Sequence, residues 1–491
     1  MNELQKSDDR MVAQKSANEP EGLGEESKER RRSTERNTSE EHTHRTQSRA
    51  SVPQGLERVR ERARQDKQER FTALLHHIDK DRLRAAYQAL NRVSAPGIDG
   101  VTWQQYGEEL ESNLEGLLER IHRGRYRAQP SKRQYIPKAD GRMRPLGIAA
   151  VEDKLAQRAV VGVLNAIYEE DFLGFSYGSR PGRGQHDALD ALAYAIGHRR
   201  VNWILDVDLA NFYDSLSQDW LVRFMEHRVG DDRVLRLIRK WLKAGVLEAG
   251  ELQVSESGSP QGAVISPLLA NTYLHYVFDL WAEQWRRRQA HGEMIIVRYV
   301  DDIVCGFEHE SEAKRFMEEL RVRLAQFALS LHPQKTRLIQ FGRQAAASRE
   351  QAGQGKPATF NFLGFTHICG RSRKGRFQLK RKTRSDRMRA KLRDLKGKLR
   401  RCMHAPVREQ GRWLGRVLRG YFAYHAVPTN TACLYAFRYQ VVVLWHKTLQ
   451  RRSQKWRNLW SRVTQLAAEF LPLPRIQHPW PNERFRVKHS R

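Results

Sequence analysis

Residues 294–307 read MIIVRYVDDIVCGF, two apolar β-prone runs joined at consecutive aspartates, Asp301 and Asp302. No other segment restricts the chain so tightly. Such runs belong to buried strands, and the acidic pair predicts a hairpin tip between them. Neighbouring carboxylates repel and raise each other's pKa unless a cation lies between them. A solvated turn is the plainer explanation, because aspartate is a common turn residue. The flanks Ile295-Ile296-Val297 and Ile303-Val304 argue against it. A second segment, 201–209 (VNWILDVDL), alternates, with Leu205, Val207 and Leu209 on one face and Asp206 and Asp208 on the other. If the two strands are neighbours, three carboxylate ligands converge. Mg²⁺ favours that kind of oxygen site, where it keeps waters and recruits phosphates.

Charge points the same way. The 491 residues hold 87 Lys and Arg against 57 Asp and Glu, a net charge of +30. Residues 371–491 carry 32 of the cations and only 5 of the acids, so nearly all the excess sits in the last quarter. Arg371 to Arg401 alone has 16 basic residues against Asp386 and Asp394. A charge run is often a solvated helix face, but this density needs a counter-charge, and a polyanion such as nucleic acid supplies one. Four cysteines without a CxxC pair exclude a disulfide framework and a Cys-rich zinc module. No apolar run approaches the roughly 18 residues that span a bilayer; the longest, 432–449, is broken by Arg438, His446 and Lys447. The N-terminus lacks an apolar signal core. A soluble, intracellular, cytoplasmic protein is expected.

Length suggests roughly three domains at about 150 residues each. Residues 1–50 are polar and are expected to be a disordered tail. Helical spacing runs over 71–90 and from about 102 to 121, around the turn 95–100. Residues 133–148 (RQYIPKADGRMRPLGI) read as a hairpin around Asp140-Gly141. Helices are predicted over 152–168, from about 218, and over 311–328. Strands are predicted over 336–341 and 359–366, with a Gly/Gln/Ala-rich loop over 343–357. Helical patterns dominate beyond that, with Trp413, Tyr421, Tyr424, Trp445, Trp456 and Trp460 interleaved among the cations. Such a mixture suits phosphate contacts plus stacking on structured RNA, although many of these rings fall at core spacing.

The residues now carry a resemblance. Tyr299-Val300-Asp301-Asp302 resembles the YxDD box of reverse transcriptases, a weak signal alone. The order around it is what makes it specific. Residues 133–148 resemble the fingers motif, 175–189 (FSYGSRPGRGQHDAL) the next fingers box, and 206–214 (DVDLANFYD) the first palm motif. The block 258–274 (GSPQGAVISPLLANTYL) is similar to the family's PQG block, while HPQKT with Lys335 and Phe362-Leu363-Gly364-Phe365 resemble the last two palm boxes. The stretch 56–103, the basic segment 385–470 and the ending His478-Pro479-Trp480-Pro481 resemble bacterial group II intron-encoded proteins without an HNH nuclease.

The resemblance implies an α+β right-hand polymerase fold followed by an all-α basic domain. Its divisions are an N-terminal extension and fingers over 51–200, a palm over 201–368, a thumb or maturase domain over 369–470, and a short basic tail over 471–491. Asp208, Asp301 and Asp302 are the implied catalytic residues and ligands of two Mg²⁺ ions, able to activate a 3′ hydroxyl and stabilise a pyrophosphate leaving group. Asp208 is preferred over Asp206 because an aromatic residue, Tyr213, follows it by five positions, as in the family. Asp206 is expected to support the strand, and Tyr213 to crowd a ribose 2′ hydroxyl. Lys138 and Arg144 would neutralise a triphosphate, Gln261 would rest against the nascent pair, and Lys335 would also serve the nucleotide. Leu363 and Gly364 form the implied primer grip. Arg381, Lys382, Arg384, Arg387, Lys391, Arg400 and Arg401 are candidate RNA contacts. Implied partners are group II intron RNA, a DNA target and dNTPs, with no membrane. The implied function is an RNA-directed DNA polymerase that is also the maturase of its own intron. Its alternatives are a non-catalytic RNA-binding splicing cofactor and a domesticated reverse transcriptase in a defence or diversity-generating system; an RNA-directed RNA polymerase is disfavoured by Tyr213.

Overall fold

The computed structural model describes residues 54–137, 143–248, 251–253, 257–258, 262–453 and 460–488. The expected tail 1–50, Lys138, the Asp140-Gly141 turn, Gln261 and Trp456 lie outside them. Helices and strands mix along the chain, an α+β architecture. Four helices come first: α1 (Gln54–Gln65), α2 (Lys80–Gln88), α3 (Trp103–Glu108) and α4 (Leu110–His122). The predicted helix over 71–90 is shorter than its periodicity. Asp79 accepts a bond from the Arg82 amide and caps α2, while Phe71 bridges in parallel to Val229. The helix predicted over 102–121 breaks at Glu109, whose backbone (φ −119°, ψ 43°) leaves the helical basin.

Strands β1 (Ser131–Pro137) and β2 (Met143–Ile148) pair antiparallel, as the hairpin reading expected. Helices α5 (Val151–Asp171) and α6 (Gln185–His198) lead into β3 (Trp203–Val207). A short turn of helix, α7 (Phe212–Ser215), precedes α8 (Gln218–Glu226) and α9 (Asp232–Lys243). Strands β4 (Val246–Glu248) and β5 (Glu251–Gln253) extend the first sheet to the order β2-β1-β4-β5. Next come α10 (Ser266–Leu274), a π-helical turn His275–Asp279 and α11 (Leu280–Arg288). Then β6 (Met294–Tyr299), β7 (Asp302–Phe307), α12 (Glu310–Ala325) and β8 (Arg337–Gln340) follow.

The second sheet has the order β6-β7-β3-β8 and is antiparallel throughout. Its strands are apolar on both sides because both faces are covered. Leu205, Val207, Ile296, Ile303 and Cys305 pack into a large core with α5 and α8–α11. Ile204, Ile295, Val297 and Val304 pack on the opposite side against α6 and the third sheet. That sheet holds β9 (Phe360–Phe362), β10 (Phe365–Arg371) and β11 (Phe377–Thr383). Two expectations are corrected here. The single strand over 359–366 is a hairpin, because Leu363 (φ 44°) and Gly364 (φ 81°) turn the chain left-handed. The loop over 343–357 begins with helix α13 (Arg343–Gln351), whose Ala345-Ala346-Ala347 core has high helix propensity.

Four helices build a third core: α14 (Ser385–Arg401), α15 (Val407–His425), α16 (Thr431–Arg452) and α17 (Trp460–Phe470). Trp445 is fully buried there and donates to Gln410 Oε1 at 3.0 Å, so it is core rather than a stacking platform. The last helix, α18 (Pro481–Lys488), packs on α6. Arg484 pairs with Asp190 at 2.8 Å beside Arg381 at 2.6 Å. His186 and His478 stack at 3.8 Å and donate to the carbonyls of Tyr424 and Ala423. Among the described residues no helix is long and apolar enough to cross a membrane.

This clamp predicts a pH dependence. Burial first, then the neighbouring His478 and the arginines, lower His186 to about 4, and burial lowers His478 as well. His478 Nδ1 accepts from Arg484, so a proton there opposes the guanidinium. A histidine depressed in the folded state binds more protons when released, so stability is lost as pH falls from about 6.5 towards 4. The protection factors of the amides over 477–484, which correct for the slower intrinsic exchange in acid, are expected to fall across that window. A His186→Gln/His478→Gln variant that keeps the same slope would show that other groups set it.

Candidate active site

The hairpin of β6 and β7 pairs Tyr299 with Asp302, leaving Val300 and Asp301 as a two-residue turn. Such turns need a left-handed first residue and usually take Asn or Gly there. Here it is Val300, with φ 58°. A β-branched residue in that conformation costs about 1–3 kcal/mol and persists only when its surroundings hold it. The surroundings are the segment 175–178, which runs beside β6. Tyr177 N donates to Arg298 O, and Arg298 N to Phe175 O, both at 2.9 Å. Gly178 then lies so close that a Cβ on it would sit 2.4 Å from Val300 N.

Below the turn, Arg298 is completely buried. Its Nε and Nη2 donate to the two oxygens of buried Asp279 at 2.7 and 2.5 Å. Its Nη1 donates to Asn271 Oδ1 at 2.9 Å and to Val300 O at 3.2 Å. Asn271 Nδ2 in turn donates to Gly178 O at 2.7 Å. Asp279 closes the π-helical turn, a distortion that often marks functional positions. The network therefore grips both the turn and the strap beside it.

Strand β3 brings the third carboxylate. Val207 pairs with Ile303, so one further step of that register sets Asp208 opposite Asp302. The 332–336 loop holds Asp208 by its backbone: His332 N donates to Asp208 O at 2.8 Å, and Thr336 Oγ1 meets both Asp208 N and O at 3.2 Å. Lys335 Nζ lies 3.2 Å from the Asp208 carboxylate. Asp206 instead pairs across the sheet with Arg337 at 3.4 Å, a strand-supporting partner.

The ionised forms of Asp301 and Asp302 are disfavoured. Dense surroundings and then the neighbouring Asp301 push Asp302 up to about 7, with Arg387 opposing. Asp302 itself is exposed at the turn. Its surroundings raise Asp301 too, opposed by Arg144 and reinforced by Asp208. Tyr213 is pushed up to about 12 by burial and by Asp301, with Arg144 opposing. Asp208, Asp301, Asp302, Tyr213 and Arg144 thus share one electrostatic site. Among the described residues no group of three or more His, Cys, Asp or Glu side chains is placed as a metal-binding cluster. Magnesium seldom uses one, taking one or two carboxylates together with waters and substrate phosphates. Adjacent carboxylates raised by burial and by neighbouring negative charge fit such a cation, which would offset both.

The other expected residues fall around this site. Gly258 (φ 85°) packs on the backbone of Tyr213 and Asp214, and Gly262 (φ 107°) on Gly147 of β2. The left-handed Leu363-Gly364 turn is held by Tyr424, whose hydroxyl donates to Leu363 O at 2.7 Å. Arg387 reaches Gly364 and acts on Asp302, tying α14 to the site. Lys382, Arg387, Arg400 and Arg401 are exposed, while Arg384 and Lys391 are half-buried and paired with Asp386 and Asp394. Arg381 is a correction. It is 2 % exposed and bound to Asp190, so its guanidinium is not free for phosphate. Sequence reasoning missed Arg298, Asp279, Asn271 and Thr336. The lone arginine inside MIIVRY was the available signal, since a buried cation demands a buried partner.

The reverse transcriptase (RNA-dependent DNA polymerase) family model matches residues 136–367. Protein YkfC of Escherichia coli K12 is 33% identical over 278 residues, covering 50% of this chain and 72% of YkfC. The group II intron-encoded protein LtrA of Lactococcus lactis is 30% identical over 305 residues, 59% of this chain and 50% of LtrA. Nuclear intron maturase 3 of Arabidopsis thaliana is 30% identical over 123 residues, 24% and 17% of the two chains. The chain thus spans about half the length of LtrA and more of YkfC.

Removing one side of the buried pair leaves an uncompensated charge, at a cost of about 3–5 kcal/mol. Arg298→Met is expected to lower unfolding free energy by that amount in denaturant titration. Adding Asp279→Leu is expected to restore part of it. A single variant as stable as the parent would show that the pair does not hold the turn.

Proposed function

This chain belongs to the reverse transcriptase family, and on that premise we propose that it copies RNA into DNA and assists splicing of the group II intron that encodes it. The observation that carries this reading is Asp208 facing the Asp301-Asp302 turn across two paired strands, with Tyr213 and Arg144 beside them. In this reading 51–200 act as fingers, 201–368 as palm, 369–470 as thumb and maturase domain, and 471–491 as a basic tail. The protein works in the cytoplasm on intron RNA, a DNA target and dNTPs.

Asp208, Asp301 and Asp302 would hold the divalent metal, which supplies activation of the primer 3′ hydroxyl and neutralisation of the pyrophosphate leaving group. Lys335, already on Asp208, keeps that carboxylate oriented and adds positive charge near the phosphates. Arg144, with Lys138 from the preceding segment, binds the triphosphate. The half-buried ring of Tyr213 narrows the space for a ribose 2′ hydroxyl, and Gln261 rests on the nascent pair. Leu363 and Gly364 support the primer strand from the turn that Tyr424 braces. Lys382, Arg384, Arg387, Lys391, Arg400 and Arg401 meet RNA phosphates. The relatives' printed names, a group II intron-encoded protein and an intron maturase, support the intron as the RNA.

Primer extension on an RNA template with Mg²⁺ and dNTPs tests the first half. The parent is expected to extend the primer and Asp301→Ala to fall by about a hundred- to a thousandfold, a typical electrostatic loss at catalytic centres, with RNA affinity kept within a few-fold. Equal extension by both proteins would remove the assigned role.

RNA affinity is also expected to fall steeply with salt, because phosphate contacts release counterions. An affinity that hardly changes between low and physiological salt would sink the assignment of the 382–401 cations.

A further inference from the structure

Between the last turns of α14 and the first turns of α15 lies a cavity of about 540 Å³, within the range of small-ligand sites. It is remote in sequence from the carboxylates, and of its lining only Arg401 has a role assigned above. Residues 398, 401 and 402 of one helix end and 409, 412, 413 and 416 of the other recur at three- and four-residue spacing, so each helix turns one face to the cavity. Trp413, Cys402 and Ala405 give it an apolar floor. Arg401, Arg412 and Arg416 stand exposed at the rim. Among the described residues none of these three forms an ion pair. Glu409 is the one acid among the described residues of the lining.

The floor is built to stay in place. Gln410 is buried, and its Nε2 faces the carbonyls of Cys402, Met403 and Ala405 at 3.0–3.1 Å. Its Oε1 accepts from Trp445 in the bundle core, and Arg452 donates to Ala405 O at 2.8 Å. The 402–406 turn is therefore tied to two other helices. A rigid aromatic floor, a cationic rim and a single acceptor match one nucleotide: a ring to stack, phosphates to pair, and an amino edge or ribose hydroxyl for Glu409.

We propose that this cavity seats a single nucleotide extruded from folded RNA, its base against Trp413 and its flanking phosphates on Arg401, Arg412 and Arg416. The proposal rests on the reading of the chain as an RNA-binding protein and sharpens it: one bulged nucleotide is recognised, beyond general attraction to the backbone. Extruded bases are what sequence-specific RNA readers usually take, because paired bases hide their edges.

The test uses the full chain and two RNA hairpins, one with a single 2-aminopurine bulge in its stem and one fully paired. The bulged hairpin is expected to bind about tenfold more tightly, from one stacked base, and its 2-aminopurine emission to change on binding. Both differences are expected to vanish in Trp413→Leu and in Arg412→Ala/Arg416→Ala. The arginines are exposed, so the second variant decides the matter even if the first fails to fold. Equal affinity for the two hairpins, or discrimination that survives the arginine changes, overturns the proposal. Free 2-aminopurine riboside monophosphate at the same concentration is expected to give no signal; a Trp413-dependent signal from it would make the ligand a free nucleotide and overturn the RNA assignment. Primer extension is scored separately, so loss of the polymerase reading leaves the bulge measurement intact.

Discussion

The arrangement depends on one buried ion pair, Arg298 with Asp279. Both side chains are fully enclosed, and the energetic return on burying two charges is small or negative against an apolar replacement. What the pair supplies is geometry. A guanidinium is planar and presents its donors in a fixed fork. Two arms close on Asp279, and the third reaches Asn271 and the carbonyl of Val300. Asn271 carries the hold to Gly178, whose missing side chain lets the 175–178 strap press against the turn. A valine in left-handed backbone is stored strain, and this network holds it, aiming Asp301 and Asp302 at the end of β3.

Around that point the sheet β6-β7-β3-β8 is sealed on both faces by separate cores. Its interior is therefore stiff and apolar, and the polar groups gather where the strands end. The low-polarity walls that make the strands stable also disfavour the ionised forms of Asp301 and Asp302. The helical bundle reaches this end of the sheet through Tyr424 at the Leu363-Gly364 turn and Arg387 beside Asp302. On its far side, α18 returns to α6 and shares Asp190 between Arg381 and Arg484. The C-terminal quarter is thus fastened both beside the carboxylates and on α6.

Much of the local pattern was legible. The apolar runs on either side of Asp301-Asp302 became β6 and β7, and the alternation over 201–209 became β3, with Asp206 inside the strand and Asp208 just past its end. Where reading failed, a competing local preference won. The three alanines after Gly342 wound a helix within a segment rich in loop-forming residues. Leu363 and Gly364 split one apolar run into two strands, and no period reveals a left-handed turn inside such a run. Arg381 looked like its basic neighbours in sequence. Its burial follows from the β10–β11 register and from Asp190, nearly two hundred residues away.

By itself, then, the chain's sequence determined which residue types stand next to one another: paired acids between apolar strands, an aromatic five residues beyond Asp208, and an excess of cations confined to the last quarter. Those are properties of short stretches, and side-chain periodicity carries them. Only the tertiary structure decided which cations are free and which are consumed within the protein, and which carboxylates share a site. It also decided that Arg298 lies beneath the turn and that α14 and α15 enclose a cavity. Those facts belong to pairs of residues brought together by packing across long loops. The free energy of burying a charge depends on its partner, and a sequence lists partners without saying which of them meet.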